Sequence, residues 1–202
     1  NGNAKCRGYA RSRRLVRTSV SVTVKPEKIV SNLERITTEY IELEDRIRLA
    51  GLTEDNQTVC IWLTMRLLKR LITHCLSLLE KNTPELKGAP TQNEQSRKSI
   101  HNFVQQSAEQ QVVEETAVKV TKNSPNHLAA EIDVKSDHAG VTIIFKGEFS
   151  SYYAIYLNNQ QLRQWLGMLH IIWQKAEWST LVWPDWMSSS PQETASLATP
   201  IH

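Results

Sequence analysis

Cys60-Ile61-Trp62-Leu63-Thr64, followed by Met65 to Lys81, returns 94 residues later as Ala154-Ile155-Tyr156-Leu157-Asn158, followed by Asn159 to Lys175. Laid over one another without a gap, Ile61 falls on Ile155, Trp62 on Tyr156, Leu63 on Leu157, Lys69 on Arg163, Leu71 on Trp165, Leu79 on Trp173 and Lys81 on Lys175. Each stretch begins as a short apolar run of strand type and passes directly into apolar residues spaced three and four apart, the pattern of an amphipathic helix. The first helix carries the stripe Leu67, Leu68, Leu71, Ile72, Cys75, Leu78 and Leu79, with Arg66, Lys69 and Arg70 on its outer face. The second, over 159–176, faces Leu162, Trp165, Leu166, Leu169, Ile172 and Trp173 inward, and Asn158 or Asn159 suits its cap. If Trp62 and Tyr156 lie in the core, truncating either to Ala costs ~3–5 kcal/mol.

Upstream of the first copy two periods compete. Ile29, Leu33, Ile36, Tyr40, Leu43 and Ile47 are spaced as a long helix requires, with Pro26 fit for a first turn and Gly51 for a C-cap. Ile41, Leu43, Ile47 and Leu49 alternate with charged residues as a half-buried strand does. The repeat decides between them. Ile41-Glu-Leu-Glu lies over Ile132-Asp-Val-Lys, and Ile47 to Gly51 lies over Ile143 to Gly147, where Gly140 and Gly147 flank an evident strand. Strands are therefore expected at 37–44, 46–51 and 57–64, with any helix confined to 26–35. The second half offers matching strands over 128–134, 141–146 and 152–157.

The expected fold class is α+β, with two pseudo-repeated β-meander-plus-helix halves (βββα, linker, βββα) and the helices packed on one face of an antiparallel sheet. The divisions follow composition: a basic arm over 1–19, expected to be disordered; the first half over 20–84; a polar, Gln-rich, partly helical linker over 85–126; the second half with a Trp-rich extension over 127–187; and a disordered Ser/Thr/Pro-rich tail over 188–202. Three cysteines with no CxxC spacing, Cys60 and Cys75 inside apolar segments, point to a reducing compartment and core packing.

The formal charge of +3 hides an asymmetry. Residues 1–26 hold Lys5, Arg7, Arg11, Arg13, Arg14, Arg17 and Lys25 and no acid, so the remainder carries −4. Three readings of the leader stay open: a stretch foreign to the folded protein, a mitochondrial transit peptide, or an arm that grips phosphates. No apolar run reaches the ~18–20 residues of a membrane span. A cytoplasmic protein is expected, with the mitochondrial matrix as the alternative.

No catalytic or cofactor motif stands out. The histidines at 74, 101, 127, 138, 170 and 202 fall in different elements without HxxH or HExxH spacing, and no GxSxG, Walker or GxGxxG pattern occurs. No enzyme, metal or cofactor is therefore expected. Glu42 with Glu44 and Glu131 with Asp133 are carboxylate pairs two residues apart, which a strand would place on one solvated face. A catalytic use of Glu131 or Asp133 would require a deep pocket there.

The candidate partner-binding residues are Trp178, Trp183 and Trp186, grouped after the second helix around Pro184. Tryptophan dominates interface hot spots, although the same segment suits sealing the core. A protein partner or self-association is the leading expectation. Meander-plus-helix units over roughly 37–81 and 128–176 are similar in layout to the PUR/Whirly class of single-strand nucleic-acid binders, a likeness of topology alone. The resemblance implies sheets that carry aromatic and basic residues; in this chain the nucleic-acid alternative uses the arm, Arg7, Arg11, Arg13, Arg14 and Arg17, with the sheet aromatics Tyr40, Tyr152 and Tyr156 secondary.

Overall fold

Strand period sorts the side chains of two meanders into an inner and an outer face. Ile47 and Leu49, then Val59, Ile61 and Leu63, then Val141, Ile143 and Phe145, then Tyr153, Ile155 and Leu157 are all buried, while the intervening Arg48, Trp62, Thr142, Lys146 and Tyr156 are not. The computed structural model describes residues 29–83, 93–113, 115–147 and 151–188, and the arm, Cys6 and the tail from 189 lie outside them. The described chain is mixed α+β. In order it runs β1 (Ile29–Ile41), β2 (Arg46–Thr53), β3 (Thr58–Leu63), α1 (Met65–Asn82), α2 (Glu94–Gln110), β4 (Asn126–Leu128), β5 (Glu131–Ser136), β6 (Gly140–Lys146), β7 (Ser151–Asn158), α3 (Asn159–Lys175) and α4 (Asp185–Ser188).

The seven strands lie in one sheet in the order β4-β3-β2-β1-β7-β6-β5. Its two edge strands are neighbours in the chain, separated by Ala129 and Ala130. A flat sheet of this width would hold them ~29 Å apart at ~4.8 Å per strand, and three Cα steps reach only ~11 Å. The sheet therefore curls until its edges meet. Ala129 donates its N–H to Trp62 O at 3.0 Å and Ala130 to Lys146 O at 2.8 Å, handing the chain from β3 to β6.

The pairing is mixed, which corrects the expectation of a purely antiparallel sheet. The β1/β7 and β3/β4 ladders are parallel, whereas β1/β2, β2/β3, β5/β6 and β6/β7 are antiparallel. The β1/β7 joint exists because β1 changes partner midway, lying along β7 at 29–32 and along β2 from 33 onward, and at the β3/β4 joint the chain lies along β3 over 126–128 and along β6 from 131 onward.

β1 also overturns the helix expected before residue 36. Its register slips between Leu33 and Arg35, so Leu33 faces Thr53, Ile36 faces Gly51 and Tyr40 faces Ile47. That bulge inserts one residue and puts Leu33 and Ile36, three apart, on the same inner side. A bulged strand thus mimics a helical period. Glu42 to Glu44 then form a 3₁₀ turn rather than the end of a strand, and Leu43 within it is exposed. Glu42 and Glu44 are accordingly not a carboxylate pair on a strand face.

The inner face of the sheet is covered by α1 and α3. Leu68, Leu71, Ile72, Cys75, Leu76 and Leu79 of α1, and Leu162, Trp165, Leu166, Leu169 and Trp173 of α3, join the inner strand residues in one core cluster. Both helices are capped as their first residues suggest. Thr64 Oγ1 accepts from Leu67 N, and Asn158 with Gln161 forms a reciprocal capping box. Cys60 and Cys75 are free and buried, and burial pushes the Cys75 thiol up to about 12. Trp62 and Tyr156, in contrast, lie on the outer face, Tyr156 being 49% exposed, so the large core cost does not apply to them.

Candidate functional site

The tryptophan segment begins with a sharp exit from α3. Glu177 sits in the left-handed region at φ 55, and Trp178 N reaches Trp173 O at 3.3 Å while Glu177 N reaches Gln174 O at 3.0 Å. This is a Schellman stop with Glu in the position that glycine usually takes. The chain is thereby turned back over the first meander. Trp178 Nε1 donates to Asp45 Oδ1 at 2.9 Å, the same oxygen that accepts from Tyr40 Oη at 3.0 Å, and the Trp178 and Tyr40 rings meet edge to face at 5.6 Å.

The other rings continue inward. Trp173 packs edge to face on Trp178 at 4.8 Å and on Trp183 at 6.0 Å, Trp183 lies 4.9 Å from His170, and Trp186 stacks on His101 at 5.2 Å. Trp178, Trp183 and Trp186 are all buried within the chain. Their apolar area is therefore spent on the protein's own core and on holding α2, whose Asn102 Nδ2 donates to Trp186 O at 3.0 Å.

Tyr152 and Tyr156 lie on the outer side of β7, where Tyr152 aligns with Lys146 and Tyr156 with Thr142. Lys146 is itself engaged: its Nζ lies 3.1 Å from Glu131 and also meets Asp133. The hydrogen bond from Lys146 is the main cause that lowers the Asp133 pKa. A groove of about 480 Å³ does run between α1 and β5, lined in part by Leu67, Arg70, Leu71, His74, Glu131 and Asp133. The two acids at its rim are tied down by a cation. Arg7, Arg11, Arg13, Arg14 and Arg17 lie outside the described residues.

The histidines take separate roles. His170 is buried beside Trp183 with its pKa lowered by burial, His127 meets Tyr153 Oη at 3.1 Å and is lowered for the same reason, and His74 is exposed on α1. Among the described residues, no three His, Cys, Asp or Glu side chains gather as metal ligands do. None of the described helices is long and apolar enough to cross a membrane.

The feature that sequence reasoning passed over is the contrast between the outer faces of α1 and α3. On α3 the face is covered by α2. Gln164 Nε2 donates to Ala108 O at 2.9 Å, Gln105 Nε2 donates to Arg163 O at 3.0 Å, and Gln160 Nε2 donates to Gln111 Oε1 at 3.0 Å. Gly167 permits the approach, because a Cβ there would stand 2.7 Å from Glu109 Oε1.

On α1 the corresponding positions are Arg66, Lys69, Arg70 and Thr73, and all four are exposed. With His74 and Ser77 they line a shallow groove of about 610 Å³. None of the three cations is in an ion pair among the described residues, and no acid occupies the first turn of the helix. In the ungapped sequence match Arg70 falls on Gln164 and Thr73 on Gly167, but the meaning of that difference depends on where α2 lies.

No family model matches this chain, and no curated protein or solved structure matches it either.

Proposed function

We propose that the protein is a non-catalytic binding protein made of two copies of one meander-plus-helix unit, with the helix of the first copy left open to a partner. The observation that carries this reading is the unequal cover of the two helices: α2 occupies the outer face of α3, and the matching face of α1 is cationic and, among the described residues, exposed. Duplication is supported by the register. Ile47 faces Leu63 as Val141 faces Leu157, and Cys60 lies beside Asn126 as Ala154 lies beside Asn32, each pair displaced by the same 94 residues. This puts Ile47 on Val141, two residues short of the Ile143 that sequence matching selects.

An enzyme acting through Glu131 or Asp133 has less behind it. A general acid requires a raised pKa, and Lys146 drives Asp133 the other way. Binding through the outer sheet face has exposed Tyr156 and half-buried Trp62 in its favour, with Glu131 and Asp133 nearby as repulsive neighbours for phosphate. The buried tryptophans are not the contact surface in this reading; they hold α2 in place and fix the segment after α3, residues 177–188, as a strap across the core.

The test is a photo-crosslinking amino acid placed at Thr73 or, as a control, at Gln164 of the full chain in cells. A discrete intermolecular adduct from Thr73 and none from Gln164 is the expected result. Silence at Thr73 towards both protein and nucleic acid would overturn the reading.

A further inference from the structure

We infer that the exposed face of α1 binds a nucleic-acid strand through its phosphates, without reading sequence. This deepens the binding reading above and rests on it. The stripe Arg66, Lys69, Arg70, Thr73, His74 and Ser77 follows the three-and-four spacing that keeps residues on one side of a helix, with neighbouring Cβ atoms ~5–6 Å apart. That places three cations within about one turn, at the pitch a phosphate chain can follow. They stand at the N-terminal end, where the helix dipole is already positive and cations are ordinarily disfavoured. Among the described residues no carboxylate forms an ion pair with them; Glu131 and Asp133, which share a groove with Arg70, are engaged by Lys146. The first turn also carries no acid.

The choice between a phosphate chain and an acidic protein follows from what the stripe lacks. Protein interfaces are anchored by buried aromatic or aliphatic side chains with charge at the rim. Between Arg66 and Ser77 no large apolar side chain is exposed, Met65 at the helix start being the exposed one on α1. Phosphate binding needs no such anchor, since its driving force is counterion release by the cations themselves. The face carries no Phe, Tyr or Trp to stack on, because Trp62 and Tyr156 belong to the outer side of the sheet. Backbone contact without base reading is the consequence.

The experiment is fluorescence anisotropy of the full chain with a labelled 20-nucleotide single strand, titrated at 50 to 200 mM salt, with unlabelled polyglutamate as competitor. Three phosphate contacts on a single strand imply a log–log salt slope contribution of about −2, and R66Q/K69Q/R70Q should remove it with at least about a tenfold loss of affinity at 100 mM salt. Gln keeps helix propensity at exposed positions, so the fold is retained, which far-UV circular dichroism checks. T73K adds a cation to the same line, tightens binding and steepens the slope by about 0.7. A version with Gln at Arg7, Arg11, Arg13, Arg14 and Arg17 separates the arm, and the α1 share should persist in it.

The inference fails if wild type does not bind, if R66Q/K69Q/R70Q leaves affinity and slope unchanged, or if polyglutamate competes as well as nucleic acid. A protein adduct from Thr73 together with any of these results would leave the binding reading standing and remove the nucleic acid from it.

Discussion

α1 and α3 are helices of 18 and 17 residues, each leaving a strand directly and each burying an apolar stripe in the same core, yet their outer sides differ in kind. α3 presents Gln160, Gln164 and Gly167 to α2, short or uncharged groups that a second helix can sit on. α1 presents Arg66, Lys69, Arg70 and Thr73 to water. Under α2 the α3 side buries a single cation, Arg163, whose Nη2 donates to Thr83 Oγ1 at 3.0 Å, and α2 sets one carboxylate, Glu109, against Gly167. Covering the three cations of α1 would strip more hydration than one carboxylate offsets, a desolvation cost that Gln160 and Gln164 do not impose. The inward positions of both helices are apolar, and the outward ones differ in cover: Arg66, Lys69 and Arg70 are exposed, whereas Arg163 and Gly167 are buried.

The largest break in this comparison comes from the α3 ring against which the strap packs. Trp173→Ala should cost ~3–5 kcal/mol, since Trp178 and Trp183 both lose their edge-to-face partner. Leu79→Ala, its counterpart on α1, should cost ~2–4 kcal/mol. Urea denaturation monitored by circular dichroism measures both. Equal losses would mean that the strap adds nothing to the α3 side.

Next in size is Trp165→Leu, which gives α3 the residue that α1 carries as Leu71. The Trp165 ring is buried and its Nε1 donates to Thr38 Oγ1 at 3.0 Å. Lost volume and a lost hydrogen bond together should amount to ~2–3 kcal/mol by the same measurement. A loss under ~1 kcal/mol would show that the α3/β1 junction closes around the smaller side chain.

Gly167→Gln tests the cover itself. Its side chain must displace Glu109 or Gln105, so α2 should loosen at a net cost of ~1–2 kcal/mol even after the gain in helix propensity over Gly. Amide hydrogen exchange should quicken across Glu94–Gln110 and remain unchanged in α1. Unaltered protection of α2 would mean that the Trp186 and Asn102 contacts hold it without the α3 face.

What was legible in the sequence follows the same physics. β3, β7, α1 and α3 were visible because each buries one face, which writes a period into the chain. β1 was hidden because its bulge gives a strand the spacing of a helix. α2 was legible only as a helical piece of a polar linker: its buried residues are His101, Gln105 and Ala108, held by side-chain hydrogen bonds rather than by an apolar stripe. The burial of Trp178, Trp183 and Trp186 was undetermined for another reason, since a cluster of indoles suits a core seal and a binding surface equally well. The left-handed Glu177 that turns the chain back carries no glycine to announce it.

The smallest effect discriminates best, because stability and binding should move in opposite directions. Arg66 lies in the first turn of α1, whose Thr64 cap leaves other N–H groups of that turn pointing outward, and whose dipole favours a negative neighbour. Arg66→Glu replaces an unfavourable charge by a favourable one, and the fold should gain ~0.3–1 kcal/mol in thermal or urea denaturation at low salt, less at high salt. Phosphate affinity should fall at the same time. A residue kept only for the fold would lose stability when changed, whereas a residue that serves a partner at the expense of the fold gives this crossed result. If Arg66→Glu destabilises the protein and leaves binding untouched, the bare face of α1 is solvated surface, and the contrast with α3 is one of packing alone.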